Sequence, residues 1–471
     1  MNSVLSLSGV AQAQLIRSRE MSSRELVTLH LHRLAEVNPA LNAAAEVWAD
    51  SALLAADVAD SRRSQGRELR PFEGVPFSVK DSIAVAGTVC TAGTLGYRDN
   101  PPSPRDAALV AKLRAAGAIP LAHTNLPDLL FAFESDNLFR GRTNNPYDLT
   151  RTSGGSSGGE AALLAACGSP FGLGSDAAGS VRLPAHYCGV ASLKPTSGRL
   201  PRTGHVPPPG GWIETLWQIG PMARRVEDLI AMLPLLITSD GEDRTHVPMP
   251  LHAPPALNQL RVAFFTDNGI LAADPATAAT VRNAALALQQ AGAQVEERHP
   301  AAISRSYDLE MKFLGPDGGD GLRDFLTSIG SHQTHPLLQG WLAKLEQHRT
   351  DIAGFAKYWS EIDAFRTEMH AYLNTCDVLL SPVASSPAVP HGHTIHDNVF
   401  PGFSYTMTHN LTGWPAAVVR CGTSPEGLPI GVQVAAAPWR EDIALAVVLL
   451  LEQALGGWQP SSGTATGKVP Y

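Results

Sequence analysis

Apolar positions recur at helical spacing from about residue 8 to 56, and again over 107–116, 275–290 and 442–455. Ser23 stands before Arg24-Glu25-Leu26 as a helix cap, and Pro39 marks where that helix breaks. Between these segments lie shorter runs rich in β-formers. They predict strands through 77–79, 118–122, 171–174, 190–194, 261–266, 293–297, 377–381 and 428–435. A short helix is expected over 161–167, and 302–375 reads as mainly helical. Residues 201–221, rich in Pro, Gly and Trp, predict an irregular loop able to line a pocket, and 236–258 is polar and linker-like. Strands alternating with helices predict an α/β protein with a central sheet.

Composition narrows the class. With 471 residues, 44% of them hydrophobic and 17% charged, the chain can bury a large core. Lys and Arg number 36 against 44 Asp and Glu, so the net charge is −8, which gives no encouragement to nucleic-acid binding. The five cysteines are scattered and form no CxxC pair, an argument against a disulfide framework or a zinc site. The longest apolar run, 443–451, is far short of the ~20 residues a membrane helix needs. No basic segment followed by an apolar one opens the chain. The expectation is a soluble cytoplasmic protein without a membrane anchor.

Candidate chemistry concentrates in residues 151–196, where two Gly/Ser-rich turns, GGSSGGE and DAAGS, bracket an apolar run. Neither GxxxxGK[ST] nor GxGxxG occurs there, so a phosphate cradle has no support. Gly154 to Gly158 satisfies GxSxG, but a nucleophile elbow needs a buried strand before it, and 146–153 is polar. His391, His393 and His396 form a short tract without a carboxylate or cysteine at ligand spacing, which favours a solvated loop over a metal site. A lysine base is a third possibility. Serine needs a group to take its proton, and lysine serves only when neutral, its pKa brought from about 10.4 to about 7–8 by burial. Lys80 follows Phe77 and Val79 at a predicted strand end. A surface charge or a partner for Asp81 are the other readings of that position.

The order of motifs goes further than any one of them. Gly74-Val75-Pro76 precedes Lys80-Asp81, then come Gly154 to Gly159, Asp176 to Ser180 and Ser192 to Thr196. Thr124-Asn125, Asn144-Asn145-Pro146, Asn410 to Gly413 before Pro415, and Gly427 to Gln433 add further pieces. Together they resemble the amidase signature family over nearly the whole chain, most closely its fatty-acid-amide-hydrolase-like branch. The resemblance implies one amidase domain over 1–471, a single large α/β domain whose central mixed sheet is covered by helices. Its core signature region would be about 72–196, and a more variable helical region on the substrate side about 302–375.

The same resemblance implies a Ser–Ser–Lys triad. Ser180 matches the nucleophile, Ser156 the bridging serine on a cis peptide, and Lys80 the base. Backbone N–H groups of Ala177, Ala178 and Gly179 would hold the oxyanion, and no metal or organic cofactor is implied. Ala178 replaces the first of two glycines common in the family, and Ser175 a commoner threonine, which puts the pocket's shape in question. Leu130 would wall the acyl pocket, with Phe131 and Phe133 nearby and Trp212 and Trp217 as further apolar lining, unless these aromatics are ordinary core. The implied partner is a small-molecule amide, apolar or aryl in its acyl part, hydrolysed through an acyl-enzyme. Nothing implied forbids a homodimer. Two other functions compete: the glutamine-hydrolysing component of a tRNA-dependent amidotransferase, and a catalytically silent binding protein, against which intact Lys80, Ser156 and Ser180 count.

Overall fold

The computed structural model describes residues 3–208 and 210–461. Its strands in chain order are β1 (Ala44–Val47), β2 (Pro76–Lys80), β3 (Ile119–Thr124), β4 (Asn144–Asn145), β5 (Asp148–Thr152), β6 (Phe171–Asp176), β7 (Ala191–Lys194), β8 (Gln218–Ala223), β9 (Arg261–Phe264), β10 (Gln294–Glu297), β11 (Val378–Pro382), β12 (Ala416–Thr423) and β13 (Pro429–Ala436). Eleven of them form one mixed sheet in the order β1-β3-β2-β6-β8-β7-β12-β13-β11-β9-β10, while β4 and β5 pair separately. The fold is a single α/β domain, as the strand–helix alternation requires.

Alternation along the strands divides the core into two faces. In β12, Ala417 and Val419 join the apolar cluster that contains Val281 and Leu288 of the helix Pro275–Gln290 and Ile443, Ala444, Val447 and Val448 of the helix Glu441–Leu455. Val418, between them, belongs to the cluster on the other face with the helices Gly158–Ala165 and Arg182–Cys188. Both faces are therefore buried, which explains why the central strands are near-continuous small apolar runs. The same parity decides where the chemistry sits. Phe77 and Val79 face the first cluster, so Ser78 and Lys80 face the second, beneath the helix Gly158–Ala165.

β2 runs parallel to both β3 and β6. Parallel neighbours end at the same edge, so Lys80, Thr124 and Ser175-Asp176, each at a C-terminal strand end, arrive together. The open crevice at such an edge is where α/β proteins build sites.

All eight expected strands are present. Several other expectations are corrected. Residues 8–56 are not helical throughout: β1 separates the helix Ser23–Leu41 from the helix Ala49–Ser64. Ser22, not Ser23, caps the former, with Glu25 completing a capping box, and the helix passes through Pro39. The Ser23 hydroxyl instead donates to Gly74 O at 2.9 Å. The loop expected over 201–221 ends early, because β8 occupies Gln218–Ala223 at the centre of the sheet. Beyond residue 237, the linker-like stretch carries no regular element before Leu257, and it lies against the domain: Asp243 pairs with Arg202, and Met249 O accepts from Arg199.

Candidate active site

Lys80 is fully buried at the end of β2, and its Nζ lies 2.6 Å from Ser156 Oγ, 3.1 Å from Ser175 Oγ and 3.4 Å from Ser175 O. It is no partner of Asp81, whose carboxylate accepts from the N–H and hydroxyl of Thr91 and faces His123 Nδ1 at 3.3 Å. Burial pushes the Lys80 pKa from 10.5 down to about 7, with Asp176 and Glu160 pulling the other way. Near neutral pH a large fraction of this lysine is a free amine. Glu160, buried above the same strand face, accepts from Ser78 Oγ at 2.5 Å and Thr124 Oγ1 at 2.9 Å. Burial raises its pKa to about 7 against those hydrogen bonds.

Ser156 follows a cis peptide bond, Gly155–Ser156. The turn fits because Gly155 has no side chain: a Cβ there would collide with Glu134 N and come 2.5 Å from Ala132 O. Ser135 ties the turn down, donating to Gly154 O at 3.0 Å and accepting from Gly158 N at 2.9 Å. The strand before it, β5, is short and half-exposed, so the GxSxG pattern here is not a strand-to-helix elbow.

The strand–turn–helix arrangement occurs instead at the second turn, between β6 and the helix Arg182–Cys188. Ser180 sits in that turn and is 8% exposed. Asp176 anchors it, accepting from Gly179 N at 2.8 Å and Val181 N at 3.1 Å and making a two-pronged ion pair with buried Arg182, at 2.9 and 3.0 Å. Burial alone would raise the Asp176 pKa, but the charge and hydrogen bonds of Arg182 and the Asn410 amide hold it well below the usual carboxylate range. The free guanidinium positions are filled by Thr406 O, Gln433 Oε1 and Asn410 Oδ1.

This geometry corrects one expectation. The Gly179 N–H is taken by Asp176, so it is not a free oxyanion donor in this structure. Among the described residues no acceptor meets the N–H groups of Ala177, Ala178 or Ser180, and all three residues line the cavity. Gly179 is needed for another reason: its φ is +128°, and a Cβ would collide with Thr406 Oγ1. Ala178 has no positive φ, so its methyl group imposes no backbone strain.

Ser156 and Ser180 share a cavity of about 140 Å³. Its walls include Leu129, Leu130, Phe131, Phe133, Trp217 and Trp341. Of the residues singled out in the sequence as pocket lining, Leu130, Phe131, Phe133 and Trp217 line this cavity. Trp212 does not: it is partly exposed and its indole N–H donates to Phe313 O at 2.9 Å. His205, which no motif singles out, also lines the cavity. A single histidine in a Pro/Gly-rich stretch carries no pattern, and its partners Ser82 and Ser175 are remote in sequence. Of the histidine tract, His391 Nδ1 lies 2.9 Å from Glu134, and His393 and His396 stack on each other.

The amidase family model matches residues 25–445. The chain belongs to the amidase family. Fatty-acid amide hydrolase 2 of Homo sapiens is 32% identical over 487 residues, which cover 97% of this chain and 90% of the human protein. Indoleacetamide hydrolase of Bradyrhizobium diazoefficiens is 33% identical over 461 residues, 95% of this chain and 86% of that one. Among solved structures, 6-aminohexanoate cyclic dimer hydrolase superposes with a TM-score of 0.82 at 30% identity, covering 96% and 97% of the two chains. This amidase is a hydrolase acting on amides, and no described helix is long and apolar enough to cross a membrane.

Proposed function

We propose that this amidase hydrolyses uncharged amides with a compact apolar or aryl acyl group, through an acyl-enzyme on Ser180. The carrying observation is the cavity beside Ser156 and Ser180. Among its described lining residues the one carboxylate, Asp176, is committed to Arg182, and the walls are mostly apolar. Free glutamine would bring an ammonium and a carboxylate into that space with no partner, at a cost of several kcal/mol per ion. This counts against the glutamine-hydrolysing reading. Size sharpens the acyl preference, since an apolar cavity of roughly 150 Å³ holds one benzene ring.

In the mechanism, the neutral Lys80 amine takes the Ser156 hydroxyl proton as Ser156 Oγ takes that of Ser180. Ser180 Oγ attacks the amide carbonyl carbon, and its π electrons move onto oxygen. The oxyanion accepts from the free N–H groups of Ala177, Ala178 and Ser180, donors already fixed by the Asp176–Arg182 clasp. The Lys80 ammonium returns its proton through Ser156 to the leaving nitrogen, which departs as amine or ammonia. Water then attacks the acyl carbon by the same relay and frees the acid.

The test is a panel of primary amides with the purified chain: benzoyl and phenylacetyl, linear acyl groups from two to sixteen carbons, and glutamine. The expected optimum of kcat/KM lies at the single-ring or short acyl groups. An optimum at glutamine, or at the longest chains, overturns the acyl assignment.

A further inference from the structure

His205 stands apart from the three residues that the relay uses, yet it is joined to them. It is 6% exposed and is held by an antiparallel bridge to Ile83, three residues past Lys80. Val206 N donates to Ser82 O at 2.7 Å, and Ala84 N to Gly204 O at 2.9 Å, on either side of the bridge. The imidazole rests on Trp217, ring centroids 4.5 Å apart. Its position is therefore fixed by backbone and by packing.

Its protonation follows from its partners. Nδ1 lies 3.1 Å from Pro207 O, a group that can only accept, so Nδ1 carries the hydrogen. Burial drives the ring's pKa down to about 3, with the Pro207 carbonyl opposing and Lys80 and Arg202 adding to the fall. The neutral ring then has a bare Nε2. Two hydroxyls converge on that lone pair, Ser175 Oγ at 3.0 Å and Ser82 Oγ at 3.2 Å; each can bond to it only as a donor, and Ser175 Oγ is the nearer.

The consequence for Lys80 is directional. With its own hydrogen placed on His205, Ser175 Oγ can only accept from Lys80 Nζ, 3.1 Å away. Ser175 O, at 3.4 Å, is a second acceptor. A neutral amine has two N–H bonds and one lone pair. Once both N–H bonds point at Ser175, the lone pair is left facing the third neighbour, Ser156 Oγ at 2.6 Å. That is the direction in which a base must face.

Resting on the assignment of Lys80 as the base, we propose that His205 is a positioning residue for it: by taking the Ser175 hydroxyl hydrogen, it turns Ser175 into an obligatory acceptor and aims the Lys80 lone pair at Ser156. Without His205, the Ser175 hydroxyl is free to rotate and donate to Lys80 itself, competing with Ser156 for the one lone pair. Such a donor stabilises the neutral amine, so it lowers the lysine's pKa while misdirecting it. The ionisable groups facing Lys80 are Asp176 from β6, Glu160 from the helix Gly158–Ala165 and His205. The first two remain in place in the variants below.

The experiment compares His205→Leu, His205→Gln, Ser175→Ala and the double variant His205→Leu/Ser175→Ala with wild type. It uses one small aryl amide across pH 5–9, with thermal unfolding of each protein. His205→Leu is expected to lower the plateau kcat by roughly tenfold or more, a fraction of what general-base catalysis supplies. KM should move less, and the acidic limb of kcat should shift to lower pH. Gln, whose side-chain oxygen can reach the Nε2 position, should restore part of the loss. The double variant should be close to the worse single one, because both changes break one connection. A folded His205→Leu whose kcat and acidic limb match wild type overturns the proposal, as does additivity in the double variant. If His205→Leu does not fold, Ser175→Ala carries the test through the same acidic limb, and an unmoved limb there overturns it. Lys80→Ala, run alongside, separates the two levels: full amidase activity without Lys80 removes the base itself, whereas an inactive Lys80→Ala with unaffected His205 variants removes only the positioning role.

Discussion

At the scale of single residues, the depressed Lys80 pKa has a sign that experiment can read. In the proposed relay the active form is the free amine, so kcat/KM should be full above about pH 7 and fall as pH drops through that value. A profile flat from pH 5 to 9 would remove Lys80 as the titrating base. Ser180→Ala should leave less than about one hundredth of wild-type turnover, because an activated nucleophile is worth more than that. Lys80→Ala should damage amides more than esters of the same acid, since an amide nitrogen needs the returned proton and an alkoxide much less so. Equal losses on paired substrates would count against the relay. The triad candidates were legible because several widely separated motifs occur in one order, and parallel pairing brings the strand ends that carry them to one edge. What the sequence could not convey was the use of individual N–H groups. That Asp176 occupies Gly179's donor depends on a carboxylate rotamer, and rotamers leave no trace in residue spacing. His205 was invisible for a related reason: its bond to Ser175 spans 30 residues and no periodicity.

At the scale of elements, the turn that carries Ser180 depends on a clasp. Arg182 is fully buried and binds Asp176, while Thr406 and Asn410 of the helix Ser404–Leu411 and Gln433 of β13 close around it. Removing one partner of a buried ion pair leaves an unpaired charge, typically a loss of about 3–5 kcal/mol. Arg182→Met should therefore lower the free energy of unfolding by about that amount, measured by urea denaturation, and reduce turnover more than an equally destabilising change far from the site. Some of the elements that residue patterns did not reveal run against local propensity. β8 contains Gly220 and Pro221, β12 starts with two alanines, and the helices Arg182–Cys188 and Val226–Leu236 each contain a proline. Local propensity disfavours the two strands and Pro234 inside its helix, whereas Pro184 lies in a first turn where its missing N–H costs little. In the two strands, burial on both faces of the sheet overrides propensity. Gly220 shows why the small residue was kept, since a Cβ there would collide with Leu193 O on neighbouring β7.

At the scale of the whole molecule, the site is assembled from two distant stretches. Lys80, Ser156, Ser175, Ser180 and His205 all precede the extended segment that starts after residue 237, whereas the residues closing the clasp all follow it. The two stretches are stitched by β7 pairing with β12, Ala416 opposite Lys194, and by Glu441 binding Arg199 and Thr196 N. Residues 252–254 are exposed and lie in no helix or strand. A cut there severs the chain without breaking any of these joins. The two stretches thus meet through noncovalent joins that lie away from 252–254. A single proteolytic nick at 252–254 should leave the hydrolase active and the pieces co-eluting, while the amino-terminal piece alone, though it contains all of the proposed triad, should be inert until its complement is added.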